Sequence, residues 1–508
     1  MLLKNYLIFT HSVNSQNSIP PMKRTTFKFK EGDELLSSNS GLALAGLLLD
    51  RTNLKERISN LFQTKVPNLK VPNEDVIKSM IGLLSIGKTH YDDIERFRED
   101  PFFMESLGIS TVPSSATLRQ RLDEFADDFS DIVREETVHL LKNTITPSSL
   151  IIGSQSYVPL DIDVTPLDNS QTKKEGVSCT YKMFDGYAPI MAYLGKEGYQ
   201  INLELREGKQ HCQNGTPEFL QETLWFARSV TDEEILVRLD SGNDSAENIK
   251  ILYEWGVYFI IKRNLRRENK PEWVKIAKKQ GKQIDLRKGK TRWMGKTKRI
   301  VDGIDFPVSV YFDITEETIN SSGQCLAVSD IEIETYWSNV FESTDPGVCQ
   351  EDNSFDEIEA LKKLQSKQAK SIIESYHNHG ESEQFHSEYK TDLDIERLPS
   401  GKFATNALIM LMGMMAFNIV RICGQESLSA IAQLEKAGES IPKYRKSSVF
   451  RRRIRSVLLD IMYLASHVTS SSRYKWISFG RCCRWSAVFK WLYEKFSEPP
   501  QASVSCSR

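Results

Sequence analysis

The chain has 508 residues, 40% of them hydrophobic and 26% charged, with 66 Lys and Arg against 68 Asp and Glu. That length allows two to four domains with a sizeable core and excludes a small disulfide-stapled scaffold. The composition is that of a soluble globular protein, and a net charge of −2 says less than the way the charge is distributed.

Eight cysteines without regular spacing indicate reduced thiols in a cytosolic protein. The apolar start MLLKNYLIF runs into polar HSVNSQNS without a small-residue cleavage site, so it is not read as a signal peptide. Residues 1–21 read as a disordered or upstream extension, with Met22 as an alternative start. Residues 22–147 read as a helical DNA-binding region. Within it, VPSSATLRQRLDEF (112–125) places a Ser cap before a helix that projects Arg119 and Arg121 from its first turns, as a helix-turn-helix recognition helix does. An ordinary amphipathic helix with Leu118 and Leu122 in the core fits the same pattern.

After Pro147 the period changes from that of helices to that of strands. VPLDIDV (158–164) alternates, with Asp161 and Asp163 on one strand face. Residues 181–201 add two more strands, 216–229 a helix, and 235–239 a short buried strand that ends at Asp240 before Ser241-Gly242. Acids at the carboxyl ends of strands are where open α/β sheets place their chemistry. A helix (245–255) and a strand (257–262) complete the first part of a core spanning 148–265.

Residues 262–299 are densely basic, with Trp273 and Trp293 interleaved, the composition of a nucleic-acid groove. Strand patterns at 301–314 and 325–334 make 266–340 a β-rich insertion. An acidic loop (342–356) leads into the second part of the core, 341–425. This part includes the mixed-charge helix YHNHGESEQFHSEYK (376–390) and an apolar run at 404–422. On one continuous helix, Tyr376, His379, Glu383 and Lys390 share a face. The apolar run approaches membrane-span length, but Asn406 and Asn418 interrupt it and favour a buried core helix. Residues 426–496 read as a basic helical region, with Arg451, Arg452 and Arg453 in a second candidate DNA surface that includes Trp476 and Trp485. Residues 497–508 read as a disordered tail.

Three acids, Asp163, Asp240 and Glu383, lie on two strand ends and a late helix, and only a fold can bring them together. A carboxylate triplet suits a pair of Mg²⁺ or Mn²⁺ ions, which take oxygen ligands and activate a water or 3′-hydroxyl for in-line attack on phosphate. Flanking basic surfaces would hold the DNA backbone.

On these residues the chain resembles the DDE transposases of bacterial insertion sequences, in the branch with a Tyr-x2-Arg-x3-Glu-x6-Lys signature. Tyr376, Glu383 and Lys390 stand at that spacing, with His379 in place of the Arg. It is most similar to the transposase DDE domain group 1 type through LDIDVT, FDGYAPI, VRLDSGN and LPSGKFATNALIMLMGMMAFNIVR.

The resemblance implies an α/β fold: a ribonuclease-H-like core carrying the β-rich insertion between the second and third acids, flanked by helical regions. It implies Asp163, Asp240 and Glu383 as metal-binding catalytic acids, with Asp161 the alternative first acid. It also implies binding of terminal inverted repeats and target DNA, as a homodimer in the DNA complex, in the bacterial cytoplasm and not at a membrane. Tyr376, His379 and Lys390 then contact phosphates. A Trp of the insertion, Trp293 with Trp337 behind it, would stack a flipped base. A DNA-binding protein that has lost catalysis and a metal-dependent nuclease are the alternative readings.

Overall fold

A computed structural model describes residues 27–62, 70–265, 268–342, 355–444, 451–471 and 473–499. The segment 1–21, most of the acidic loop, the middle of the 443–455 basic run and the tail from 500 lie outside the described residues.

The N-terminal region is helical, as its 3.6-residue pattern predicts. A short strand, β1 (Leu35–Ser37), precedes α1 (Leu42–Leu49), α2 (Leu54–Phe62), α3 (Asn73–Ser85), α4 (Pro101–Ser106), α5 (Ser115–Glu124) and α6 (Ala126–Lys142). The α4 helix starts where Asp100 accepts from the amides of Phe102 and Phe103, with Pro101 in its first turn. The Ser114 hydroxyl caps α5 by accepting from the Thr117 amide at 3.2 Å.

The strands then follow as β2 (Leu150–Ile152), β3 (Gln155–Val164), β4 (Leu167–Asp168), β5 (Ser178–Cys179), β6 (Asp185–Tyr187), β7 (Ile190–Leu194) and β8 (Tyr199–Glu204). After α7 (Thr216–Val230) come β9 (Ile235–Leu239), α8 (Ala246–Glu254) and β10 (Tyr258–Lys262). In the central sheet β8, β7 and β3 form an antiparallel meander, and β9 and β10 run parallel to β3 on its other side. The strands β4, β6 and β5 form a separate small sheet.

The expected β-rich insertion opens with a helix, α9 (Lys270–Gln280), before β11 (Lys282–Arg287), β12 (Lys290–Arg299), β13 (Val308–Ile319) and β14 (Cys325–Ser338). These strands continue the central sheet, because β14 pairs antiparallel with β10 through Ile260 opposite Ser338 and Ile261 opposite Trp337. A long helix, α10 (Phe355–His377), packs across β12 and its neighbours.

The 376–390 segment is not one helix. The α10 helix stops at His377, a 3₁₀ turn covers Asn378–Gly380, α11 (Glu381–Ser387) is short, and a π turn runs over Glu388–Asp392. Asn and Gly are weak helix formers, so the break falls where propensity is lowest. Tyr376, His379, Glu383 and Lys390, expected to share one helix face, therefore stand on four successive elements.

The apolar run lies within α12 (Phe403–Lys436), and its most apolar 18-residue window is 94% buried, as expected of a core helix. Its two asparagines replace backbone partners. Asn418 accepts from the Gln200 amide at 2.9 Å and donates to the Gln200 carbonyl at 2.7 Å, and Asn406 does the same for Ser400, both at 3.0 Å. A buried polar side chain with both needs met costs little in an apolar core.

The C-terminal region is not purely helical. After α13 (Ile454–Val457), the β15 (Ser466–Ser470) and β16 (Lys475–Phe479) strands form a hairpin that pairs with β1, and α14 (Ser486–Ser497) follows. The aromatic and β-branched residues of 474–479 favour strand over helix.

The β7–β8 turn is locked to α11. Gly198 has φ of +70°, and a Cβ there would stand inside the ring of Phe385. Gly198→Ala is expected to cost about 1–3 kcal/mol, read as a lowered midpoint in urea unfolding.

Candidate active site

Ile162 of β3 pairs with Leu239 of β9, so Asp163 and Asp240 stand one residue further, side by side on adjacent parallel strands. Asp163 Oδ1 accepts from the Val164 amide at 2.7 Å, and Asp240 Oδ1 accepts from Asn243 Nδ2 at 2.7 Å. Both are partly exposed.

Asp161 shares their strand but has a different fate. It is buried and held bidentate by Arg238, at 2.6 and 2.7 Å, and Arg238 also donates to the Ser375 carbonyl at 2.7 Å. Both its oxygens are therefore engaged in a buried pair that ties β3, β9 and α10 together.

Glu383 is exposed on α11 and lines a cleft with Asp163, Tyr181, Lys182, His386 and Lys390. A residue that the sequence pattern did not single out joins the acids. Tyr181 stands at the tip of the β5–β6 hairpin; its side chain is 62% exposed, but its hydroxyl turns inward and donates to the Val164 carbonyl at 3.3 Å. Burial, then the charges of Asp163, Asp240, Cys212 and Glu383, push this hydroxyl up to about 12. One phenol thus feels all three acids, and at neutral pH it is a neutral donor rather than a nucleophile. The only sequence signal for Tyr181 was an aromatic in a turn between strands, which is common.

A model of the transposase DDE domain group 1 family matches residues 20–298, more than half of the chain. The chain belongs to that family. The match includes Asp163 and Asp240 and ends before Glu383. No curated protein matches the chain. Among solved structures it is similar to the chain in the cryo-EM structure of the piggyBac transposase synaptic complex with hairpin DNA. The identity is 12% and the TM-score 0.40, over 93% of this chain and 87% of that one. A likeness that distant sets neither the fold nor the chemistry here.

The signature residues of this DDE-family chain are spread around the acids. Tyr376 is half-buried at the end of α10, its ring 4.9 Å from that of Tyr336. Burial, then the charges of Asp240 and Asp163, raise the pKa of its hydroxyl. Lys390 donates to the Pro166 carbonyl at 2.9 Å and stands 3.8 Å from Glu396. Burial lowers its pKa; Glu396 opposes that shift, and Lys182 adds to it. The side chain of His379 lies outside the described residues.

Several expected DNA contacts are corrected. Trp293 is buried on β12, and Trp337 is buried with its indole donating to Asp244 at 2.8 Å, so neither offers a face to a base. Trp273, in the same basic stretch, is buried and donates to Glu268. Many cations of that stretch are met by acids on β13 and β14: Lys278 by Glu316, Arg287 and Lys290 by Glu317, Arg292 by Asp313, and Lys262 by Glu334.

Arg451 and Arg452 are also buried. Arg451 reaches Gln384 and Glu388, Arg452 pairs with Asp460, and Arg453 pairs with Asp392 at 2.8 Å. Arg451 and Arg453 therefore tie this run to α11 and the π turn after it, and Arg452 ties it to the turn that holds Asp460. Trp485 is buried under Arg452, whereas Trp476 is 60% exposed on β16 beside exposed Tyr474 and Lys475.

Arg119 is exposed on α5 and lies over the Tyr91 ring at 5.5 Å. Arg121 is half-buried and donates to Asn73 at 3.5 Å.

Among the described residues, no three His, Cys, Asp or Glu side chains are placed together so as to hold a metal ion. The donor set of Asp163, Asp240 and Glu383 is nonetheless all oxygen, the chemistry of hard divalent ions. Its first two members are already adjacent.

Proposed function

We propose that this family member catalyses metal-dependent DNA cleavage and strand transfer at the terminal inverted repeats of its own element, with Asp163, Asp240 and Glu383 as the metal-binding acids. The observation that carries this reading is the placement of Asp163 and Asp240 side by side at the ends of parallel strands, with Glu383 lining the same cleft as Asp163. The strand order β8-β7-β3-β9-β10, a meander followed by two parallel strands, supports a ribonuclease-H-like core. The engagement of Asp161 by Arg238 supports Asp163 as the first acid.

Asp163 and Asp240 would hold one or two Mg²⁺ or Mn²⁺ ions, and α11, bounded by a 3₁₀ and a π turn, would bring Glu383 in. Bound ions would polarise the scissile phosphate and lower the pKa of an attacking water. Tyr181 donates a hydrogen bond at the cleft. Lys182 and Lys390 supply positive charge at its rim, and Tyr376 would contact a DNA phosphate. DNA, both element ends and target, is the partner, engaged as a homodimer in a bacterial cytoplasm. His379 contacts phosphate where relatives carry Arg, with a weaker and pH-dependent charge.

Purified protein incubated with Mg²⁺ or Mn²⁺ and DNA carrying the element's ends should cut at those ends and join them to target. Salt-sensitive binding without cutting would favour the DNA-binding alternative, and cutting without joining the nuclease. For binding itself, Arg119→Ala is expected to lower the slope of log affinity against log salt by about 1, as loss of one phosphate contact does. Arg452→Ala should lower the melting midpoint and leave that slope unchanged.

A further inference from the structure

We propose that His386 is a nitrogen ligand of the ion held at Asp163; the inference rests on the carboxylate metal site proposed above. His386 lies one helical turn after Glu383 on α11, and its ring is only 5% exposed. Its Nδ1 is 3.3 Å from the Tyr193 hydroxyl, and its Nε2 faces Asp163 Oδ2 at 3.5 Å. That Nε2 is buried and has no hydrogen-bond partner.

Two tautomers are open to the ring, and the geometry separates them. If Tyr193 donated to Nδ1, Nε2–H would point at a carboxylate, a pairing that closes to about 2.7–2.9 Å. The gap is 3.5 Å. The Tyr193 hydroxyl has another place for its proton, because it donates to Met191 Sδ at 3.3 Å. Its oxygen then accepts Nδ1–H, which leaves the Nε2 lone pair facing a carboxylate oxygen.

Two acceptors facing each other, one of them a buried imidazole nitrogen and the other a partly exposed carboxylate at the cleft, suit a cation between them. The spacing suits one. Two ligands about 2.1 Å from an ion, on perpendicular bonds, stand about 3 Å apart. A ligating imidazole oriented by a hydrogen bond from its other nitrogen is the usual arrangement of metal-bound histidine, with Tyr193 as the orienting group here. Asp163, Glu383 and His386 line the same cleft. Burial keeps the Tyr193 phenol neutral, so it remains a donor to the sulfur. One imidazole among carboxylates tilts the site from Mg²⁺ towards Mn²⁺, which accepts nitrogen more readily.

The test is pulsed electron paramagnetic resonance on the full chain loaded with Mn²⁺ alone. The ¹⁴N modulation of a coordinated imidazole is expected, changing to a ¹⁵N pattern in protein made with ¹⁵N-histidine. It should be lost in His386→Gln, with Mn²⁺ affinity falling roughly tenfold. The isotope exchange shows that the coupled nitrogen belongs to a histidine, and its loss in His386→Gln, or in His386→Asn should the first variant misfold, assigns it to His386; coupling retained in a folded variant would overturn the assignment. Bound Mn²⁺ without nitrogen coupling would overturn His386 as a ligand and leave the carboxylate site standing. No Mn²⁺ bound to the wild-type chain would overturn the carboxylate site and His386 with it.

Discussion

Asp163→Asn and Asp240→Asn are each expected to reduce DNA cleavage by roughly a hundred- to a thousandfold or more, the usual loss when one electrostatic stabiliser of a transition state is removed. Neither should unfold the chain. Asn keeps the oxygen that accepts from Val164 in one case and from Asn243 in the other. Both sites are partly exposed, so loss of the charge leaves nothing stranded inside. Asp161→Asn should behave in the opposite way. It takes one charge from the buried pair with Arg238, and stranding a buried guanidinium costs about 3–5 kcal/mol. The pair of readouts, initial cleavage rate and urea midpoint, therefore separates the first catalytic acid from its structural neighbour. If Asp163→Asn cut DNA at the wild-type rate, the assignment of the first acid would fall.

Glu388→Ala is expected to be the most destabilising substitution in the catalytic region, at about 3–5 kcal/mol. Glu388 is almost fully buried in the π turn that follows α11. It accepts from Arg421 at 2.8 Å and from the Ile454 amide at 3.1 Å, and Arg451 stands 3.5 Å away. Removing it takes the shared carboxylate from two buried arginines, Arg421 and Arg451. The effect should reach the site, because Gln384, the neighbour of Glu383, is held by the same Arg451. Differential scanning calorimetry should show the loss of stability. Cleavage by the surviving folded fraction, measured well below its melting point, should also fall. Unchanged stability would mean that the arginines find other partners.

The strands bearing the acids were legible because local pattern and tertiary role agree there. Residues 158–164 alternate, 235–239 are apolar apart from Arg238, and Asp240 falls at the strand end where an α/β sheet opens. Asn406 and Asn418 were read correctly as marks against a membrane span, although their hydrogen-bonding task depends on partners far away in sequence. The cationic clusters were misjudged for the same reason. Composition counts Arg451 and Arg452 as positive charge, but Glu388 and Asp460 decide whether that charge meets solvent. Trp293 and Trp337 looked like stacking faces because the basic stretch surrounds them in sequence; in space the sheet covers them. The helix expected over 376–390 breaks at Asn378 and Gly380, whose low helix propensity outweighs the helical spacing of Tyr376, Glu383 and Lys390. Tyr181 was missed because nothing local distinguishes a hairpin tip aimed at an active site from any other.

The two hydrogen bonds between Asn418 and Gln200 also bear on assembly. β8 is the last strand on its side of the sheet, and an open strand edge is a template on which another chain can add a strand. Asn418 occupies the edge amide and carbonyl of Gln200 as an added strand would, and α12 covers that side. At the other end, β11 carries Lys282, Asp285 and Arg287, charges that discourage flat pairing. Both ends of the central sheet are therefore guarded against the addition of a further strand.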